Sequence, residues 1–176
     1  HYAKDSGADA AKFQHFNAET IVSDKTFKEM SSKLSHQKNW KKSVFQVYKD
    51  ASLNLNWTPK LKKECDKVGI DFFTAPYAMD LIDHVDKYIC AYKIGSGDIS
   101  WIDALKKMSK NKKPMILATG ASDLTDVKRA VKSILKHNKN LCVMQCNTNY
   151  TASKNNLKNK NLNVLRKYKK TFPNVI

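Results

Sequence analysis

The sequence predicts an α/β fold of the (β/α)8-barrel type, present in part, and two observations predict it. Five short apolar runs each end in a small polar signature: AAKFQ (Ala10 to Gln14), DFFTAPY (Asp71 to Tyr77), AYKIGSGD (Ala91 to Asp98), MILATGAS (Met115 to Ser122) and LCVMQCNTNY (Leu141 to Tyr150). Stretches with helical periodicity separate them. Strand, polar turn and helix in repetition is how such a barrel gathers the C-terminal ends of parallel strands on one face and builds a pocket there. One signature carries little. Five in series point to an enzyme acting on a small molecule.

The opening HYAKDSGADA reads as the closing turns of a helix, with Gly7 as its C-cap, leading into a strand over 10–14. Residues 15–57 form a long excursion with a helix over Ser43 to Ser52, and connections of that length are often lids. Thr58 is the expected N-cap, with Pro59 at the first helical position and Gly69 as the stop. A strand over 70–74 precedes a helix over 78–86, where Met79, Ile82 and Val85 recur at helical spacing. A strand over 90–94 is followed by a helix capped by Ser100. A strand over 114–118 is followed by one capped by Ser122, with Leu124, Val127, Val131 and Ile134 as its apolar stripe. The last strand covers 141–146, a sixth helix covers Leu162 to Tyr168, and Val175 and Ile176 look like the start of a further strand. Runs this short and this apolar suit parallel strands covered on both faces.

At 176 residues the chain is about one domain, short of the roughly 250 residues of a full barrel. It is therefore expected to be a single partial barrel domain, residues 1–176, whose flanks complete the sheet. An open five-strand sheet would leave two unpaired edges, and the segment by itself is expected to be inactive. The chain shows no initiator Met and no targeting segment, and no apolar run approaches the ~20 residues of a transmembrane helix.

A formal charge of +16 invites a nucleic-acid reading, but only Arg129 and Arg166 among the 32 basic residues are arginine. Phosphate and base recognition lean on arginine forks. Lysines spread over helix faces favour solubility instead. No nucleic-acid and no membrane partner is expected. Cys65, Cys90, Cys142 and Cys146 form no CxxC pair, and reduced, mostly buried thiols in a cytoplasmic protein are expected.

Side chains alternate along a strand, so Lys12 and Gln14 share the inner face while Phe13 packs against the helices. Lys93 likewise points opposite to Tyr92 and Ile94. Lysines within strands are costly to bury unless an anion, or a structural carboxylate, neutralises them. Gly95 and Gly97 let the backbone approach a ligand and expose N–H groups to a phosphate; Ser96 adds a hydroxyl and Asp98 a carboxylate. Thr119-Gly120 ends the next strand in the same way, as an anion cradle at a helix N-terminus or as a tight turn. Gln145 to Tyr150 holds the hydrogen-bonding inventory a polyhydroxylated ligand wants, or forms an Asn-rich turn. His15, His36, His84 and His137 form no cluster; His84 and His137 are expected on helix surfaces, and His15 within weak reach of the pocket.

AKDSGADAAKFQ, FFTAPY, AYKIGSGD, LATGAS and QCNTNYT, in this order and spacing, resemble the sialic acid (N-acetylneuraminate) synthase family over essentially the whole chain. The resemblance implies a (β/α)8 TIM barrel, with this segment as strands two to six of eight and the first residues of strand seven at Val175-Ile176. It implies condensation of phosphoenolpyruvate with N-acetylmannosamine or a related amino sugar, in a cytoplasmic protein that is a homodimer at full length. Lys12, Lys93 and Ser96 fall on the family's phosphoenolpyruvate-binding positions, with Thr74 and Thr119 as further candidates. Gln14, Asp98, Asn149 and Tyr150 fall on the sugar side. Ala75 lacks a hydroxyl common in the family, for which Thr74 is the candidate substitute, and Ala118, Asp98 and Thr151 also depart from the commoner Ser, Glu and Pro. The divalent metal (Mn or Mg) is implied to sit on strand-seven and strand-eight histidines, and a catalytic glutamate on strand one, all outside these residues. Another phosphoenolpyruvate-aldose condensing barrel, or a phosphate-binding aldolase working through a lysine Schiff base, is the alternative.

Overall fold

The computed structural model describes residues 1–29, 37, 40–150 and 153–176. Five parallel strands form one sheet in sequence order: β1 (Ala10–His15), β2 (Asp71–Pro76), β3 (Tyr92–Ile94), β4 (Met115–Ala118) and β5 (Leu141–Met144). Between them run α5 (Thr58–Val68), α6 (Met79–Asp86), α7 (Ile102–Lys110) and α8 (Leu124–Leu135). Before β1 lies the short helix α1 (Tyr2–Asp5), and after β5 the helix α9 (Asn163–Thr171). The excursion holds α2 (Ala18–Ile21), α3 (Asp24–Glu29) and α4 (Val44–Ala51).

Strand following strand in sequence order, with helices on the outer face, is the arrangement of half a (β/α)8 barrel. The core lies between sheet and helices. Phe72, Tyr92, Ile94, Met115, Leu117, Leu141 and Val143 point outward from the strands into Ile82, Leu105, Val127, Val131 and Ile134 of the helices. The last residue continues the pattern: Ile176 N–H donates to Leu141 O at 3.2 Å and Val143 N–H to Ile176 O at 2.8 Å. That alternation is a parallel ladder beside β5, as expected of Val175-Ile176.

Three helix starts differ from expectation by one residue, each for a local reason. Thr58 is the first helical residue rather than the cap, because its buried hydroxyl bonds two imidazoles and is not free to cap. Asp123, not Ser122, caps α8: its carboxylate accepts the Asp126 N–H at 2.9 Å. Trp101, not Ser100, precedes α7, with no side-chain cap. The α4 cap is as read, Ser43 accepting from Gln46 N–H at 3.1 Å, and Gly69 ends α5 at φ 69°. His137 stands in a turn beyond α8 rather than on the helix. The thiols are less buried than expected: Cys65 is buried, Cys90 exposed, Cys142 and Cys146 half-buried, all four free.

Candidate active site

The inner face of the sheet carries Lys12 and Gln14 on β1 and Lys93 on β3. On the other face Phe13 packs against Phe72, ring centroids 5.1 Å apart, and Tyr92 and Ile94 are fully buried. β1 pairs Gln14 with Ala75, and one step on from the Thr74–Tyr92 pair Lys93 stands opposite Ala75. The small Ala75 thus separates Gln14 from Lys93, and Lys12 lies two residues earlier. Burial lowers the pKa of both lysines, and the Lys12 charge lowers that of Lys93 further against the opposing pull of Cys146 and Asp98. Lys93 Nζ donates to the Ile94 carbonyl at 2.8 Å, while Lys12 is exposed; like charges on one face are relieved by a small anion.

At the strand ends, Ser96–Asp98 forms a 3-10 turn after Gly95. A Cβ on Gly95 would stand 2.6 Å from the Asp98 Oδ2 and 3.3 Å from the Tyr77 hydroxyl, so the carboxylate lies directly over the glycine. Burial raises the Asp98 pKa, and the Lys93 charge opposes that rise. Ser96 Oγ accepts the Gly120 N–H at 3.0 Å, leaving its own proton to donate. The Gly120 N–H is thereby committed to Ser96, which favours the tight-turn reading of Thr119-Gly120. Gly120 is required by crowding: a Cβ there would meet the Cys146 carbonyl oxygen at 2.7 Å. The ends of β3, β4 and β5 converge at this point.

Beside this rim opens a cavity of about 740 Å³. One wall is polar and carries Gln14, Tyr77, Ser96, Asp98 and Tyr150. Gln14 Nε2 donates to the Tyr77 hydroxyl at 2.9 Å. The opposite wall is aromatic and comes from the excursion, with Phe16, Trp40 and Tyr48 among its lining residues. Phe16 meets Tyr48 edge-on at 5.6 Å and Tyr77 at 6.3 Å. A cavity with one apolar aromatic wall and a few convergent polar groups fits a partly acylated sugar, whose faces stack and whose hydroxyls bond. The sequence reading missed Phe16, Trp40, Tyr48 and Tyr77 as lining residues; the aromatic density of the 40–57 stretch and the FFTAPY turn were their only signals.

A family model described as the NeuB family matches residues 1–176. The chain belongs to the NeuB family. The N,N'-diacetyllegionaminic acid synthase of Campylobacter jejuni is 30% identical over 174 residues, covering 97% of this chain and 51% of the relative. The human N-acetylneuraminate-9-phosphate synthase is 27% identical over 177 residues, covering 98% of this chain and 47% of the relative. Among solved structures, the N-acetylneuraminic acid synthetase of Leptospira borgpetersenii, in complex with citrate, superposes with a TM-score of 0.77 at 23% identity, covering 97% of this chain and 53% of that one. At that identity the superposition speaks for the fold. This NeuB-family chain spans about half the length of the curated relatives it matches.

Not every expected side chain reaches the NeuB-family site. Thr74 is a correction: it points to the helix layer, fully buried, with its hydroxyl 2.8 Å from His15 Nδ1. It shares a face with Phe72, so strand alternation forbids it from substituting for the hydroxyl that Ala75 lacks. Thr119 is likewise turned away. Its hydroxyl donates to Met144 O at 2.8 Å and accepts from Tyr168 of α9 at 2.9 Å. Asn149 is exposed and lies outside the cavity lining, its amide donating to Asn156 Oδ1 at 2.7 Å within an Asn-rich turn. His15 faces the helix layer rather than the pocket, and His84 is half-buried against it, ring centroids 6.3 Å apart, rather than on the surface. His36 and Thr151 lie outside the described residues.

Among the described residues, no three His, Cys, Asp or Glu side chains stand together as a cation site. Asp98, the one carboxylate among the described lining residues, already faces the Lys93 charge. These residues do not fit a divalent metal. No helix of the described residues is long and apolar enough to cross a membrane.

Proposed function

We propose that this chain supplies the phosphoenolpyruvate grip and part of the amino-sugar pocket of an enzyme that condenses the two into a sialic-acid-type nonulosonate. The observation that carries the reading is Lys12 and Lys93 on one inner face, each with its pKa lowered by partial burial, with the Gly95 to Asp98 turn after Lys93 lining a cavity half aromatic and half polar. Lys12 and Lys93 hold the carboxylate and phosphate of phosphoenolpyruvate by charge-assisted bonds, and Ser96 donates its hydroxyl proton to a phosphate oxygen. Gln14, Asp98 and Tyr150 bind the sugar's hydroxyls, and the aromatic wall takes its N-acyl group. Membership of the NeuB family, and relatives that are legionaminic acid and N-acetylneuraminate-9-phosphate synthases, support this class of chemistry.

Carbon-3 of phosphoenolpyruvate forms the new bond to the aldehyde carbon of the open-chain sugar, whose oxygen takes up a proton to become a hydroxyl. The electron deficiency left at carbon-2 is filled by water, which gives up a proton, and the resulting intermediate collapses to a keto group as the carbon–oxygen bond to phosphate breaks. The lysines act by position and charge: they fix carbon-3 against the aldehyde and stabilise the departing phosphate. The homodimer and the cytoplasmic location expected of the full-length protein belong to the same reading.

The test is steady-state kinetics on the full-length protein with phosphoenolpyruvate and N-acetylmannosamine, its 6-phosphate and a diacetamido sugar, against arabinose and erythrose phosphates. Lys12→Met and Lys93→Met are each expected to raise KM for phosphoenolpyruvate by about two orders of magnitude, the loss of one charge-assisted pair, without raising that for the sugar. Turnover only with the aldose phosphates, or a borohydride-trapped adduct on either lysine, would overturn the reading.

A further inference from the structure

Three consecutive residues at the end of β1 hold Tyr77 in the cavity wall. Gln14 Nε2 donates to its hydroxyl at 2.9 Å, the His15 carbonyl accepts its backbone N–H at 2.9 Å, and the Phe16 ring meets it edge-on. Behind the cavity, the His15 ring is fully buried and engaged at both nitrogens: Nδ1 lies 2.8 Å from Thr74 Oγ1 and Nε2 2.9 Å from Thr58 Oγ1. The Thr58 hydroxyl also meets His84 Nε2 at 3.1 Å. A neutral imidazole offers one donor and one acceptor, and each threonine hydroxyl donates once and accepts twice, so every bond in this group can be made at once. The ring joins four elements, β1, β2, α5 and α6, directly beneath the residues that shape the pocket.

We propose that His15 is a positioning residue for the amino-sugar pocket: its ring, held between Thr58 of α5 and Thr74 of β2, fixes the 14–16 backbone that presents Gln14 and holds Tyr77. The inference rests on the reading of the cavity as a sugar site. None of the three hydrogen bonds of this group runs to Lys12 or Lys93, so its effect is expected on the sugar side. Removing one hydroxyl leaves a buried ring nitrogen without its partner, and the strand end that carries Gln14 is then free to shift. Displacements of about 1 Å in a positioning shell cost up to two orders of magnitude in rate. Burial and the neighbouring His84 hold the His15 pKa down to about 4, in keeping with a ring that is neutral at physiological pH.

Threonine variants that differ only in the hydroxyl test this. In the full-length protein Thr74→Val is expected to raise KM for N-acetylmannosamine about tenfold, the equivalent of one buried hydrogen bond, with KM for phosphoenolpyruvate within about twofold. Thr74→Ser, which keeps the hydroxyl, restores it. Thr58→Val should act in the same direction and replaces the first variant if that one fails to fold. A parallel rise in both KM values, a loss of kcat alone, or no change would overturn the proposal. A second readout needs no turnover. Burial raises the Tyr77 pKa above the ordinary phenol value, so its Cζ resonance, in protein labelled at tyrosine, should titrate late. The Gln14 hydrogen bond opposes that rise, so Thr74→Val, which loosens it, is expected to move the titration later still and Thr74→Ser to leave it where it was. A Tyr77 titration that Thr74→Val does not move overturns the positioning role. If the unmodified protein condenses none of the sugars, the functional reading fails instead, and the resonance alone decides the role of His15.

Discussion

At the scale of single residues, alternation along strands decides which side chains act. Lys12, Gln14 and Lys93 are where a period of two puts them, and the same period removes Thr74 and Thr119, whose hydroxyls are spent on His15, Met144 and Tyr168. His15 has a pH signature. Its pKa falls from 6.5 to about 4 on folding, through burial first and the His84 charge second. Between those values the unfolded chain binds a proton that the folded protein does not, so stability rises with pH across that window. The contribution is fully present above about pH 6.5 and is lost as pH falls towards 4, by roughly 3 kcal/mol at most. Urea unfolding of the full-length protein at pH 7 and pH 4.5 should show this loss, and His15→Gln should flatten it. An equal loss in the variant would mean that other groups carry the acid dependence.

At the scale of elements, the site depends on how closely strand ends converge. Gly120 has ordinary φ, yet its place is fixed because the Cys146 backbone carbonyl stands where a side chain would begin. A backbone obstacle cannot rotate away, so Gly120→Ala must push β4 and β5 apart at the rim, at a cost of about 1–3 kcal/mol. The Gly120 N–H to Ser96 bond should be lost with it. The expected outcome is a lower thermal midpoint together with weaker phosphoenolpyruvate binding; an unchanged midpoint would show that the rim yields without strain. Phe16, Trp40 and Tyr48 of the 15–57 excursion contribute the aromatic wall, so this connection shapes the pocket.

At the scale of the whole molecule, a net charge of +16 works against compactness, because like charges spread over helix faces repel. Raising sodium chloride from about 10 to about 200 mM shortens the Debye length several-fold and should raise the thermal midpoint. Phosphate at matched ionic strength should raise it further, since the lysine pair is its proposed site. Lys12→Met combined with Lys93→Met should abolish the phosphate excess while keeping the general salt response. A phosphate excess that survives the double substitution would place the anion elsewhere.

The sequence by itself determined the strand–helix order and the inner placement of Lys12, Gln14 and Lys93, because each depends on local periodicity that is read directly along the chain; its motifs carried the resemblance to the family. The backbone ladder at Val175-Ile176 was legible for the same reason. Tertiary structure alone decided the rest. That Thr58, sixteen residues before Thr74 and forty-three after His15, closes a buried group behind the pocket follows from strands laid side by side, which no local pattern encodes. That Tyr77 and Tyr48 face one cavity, and that Gly120 lies under the Cys146 carbonyl, are consequences of packing density: where elements converge, the space left by one fixes the side chain of another.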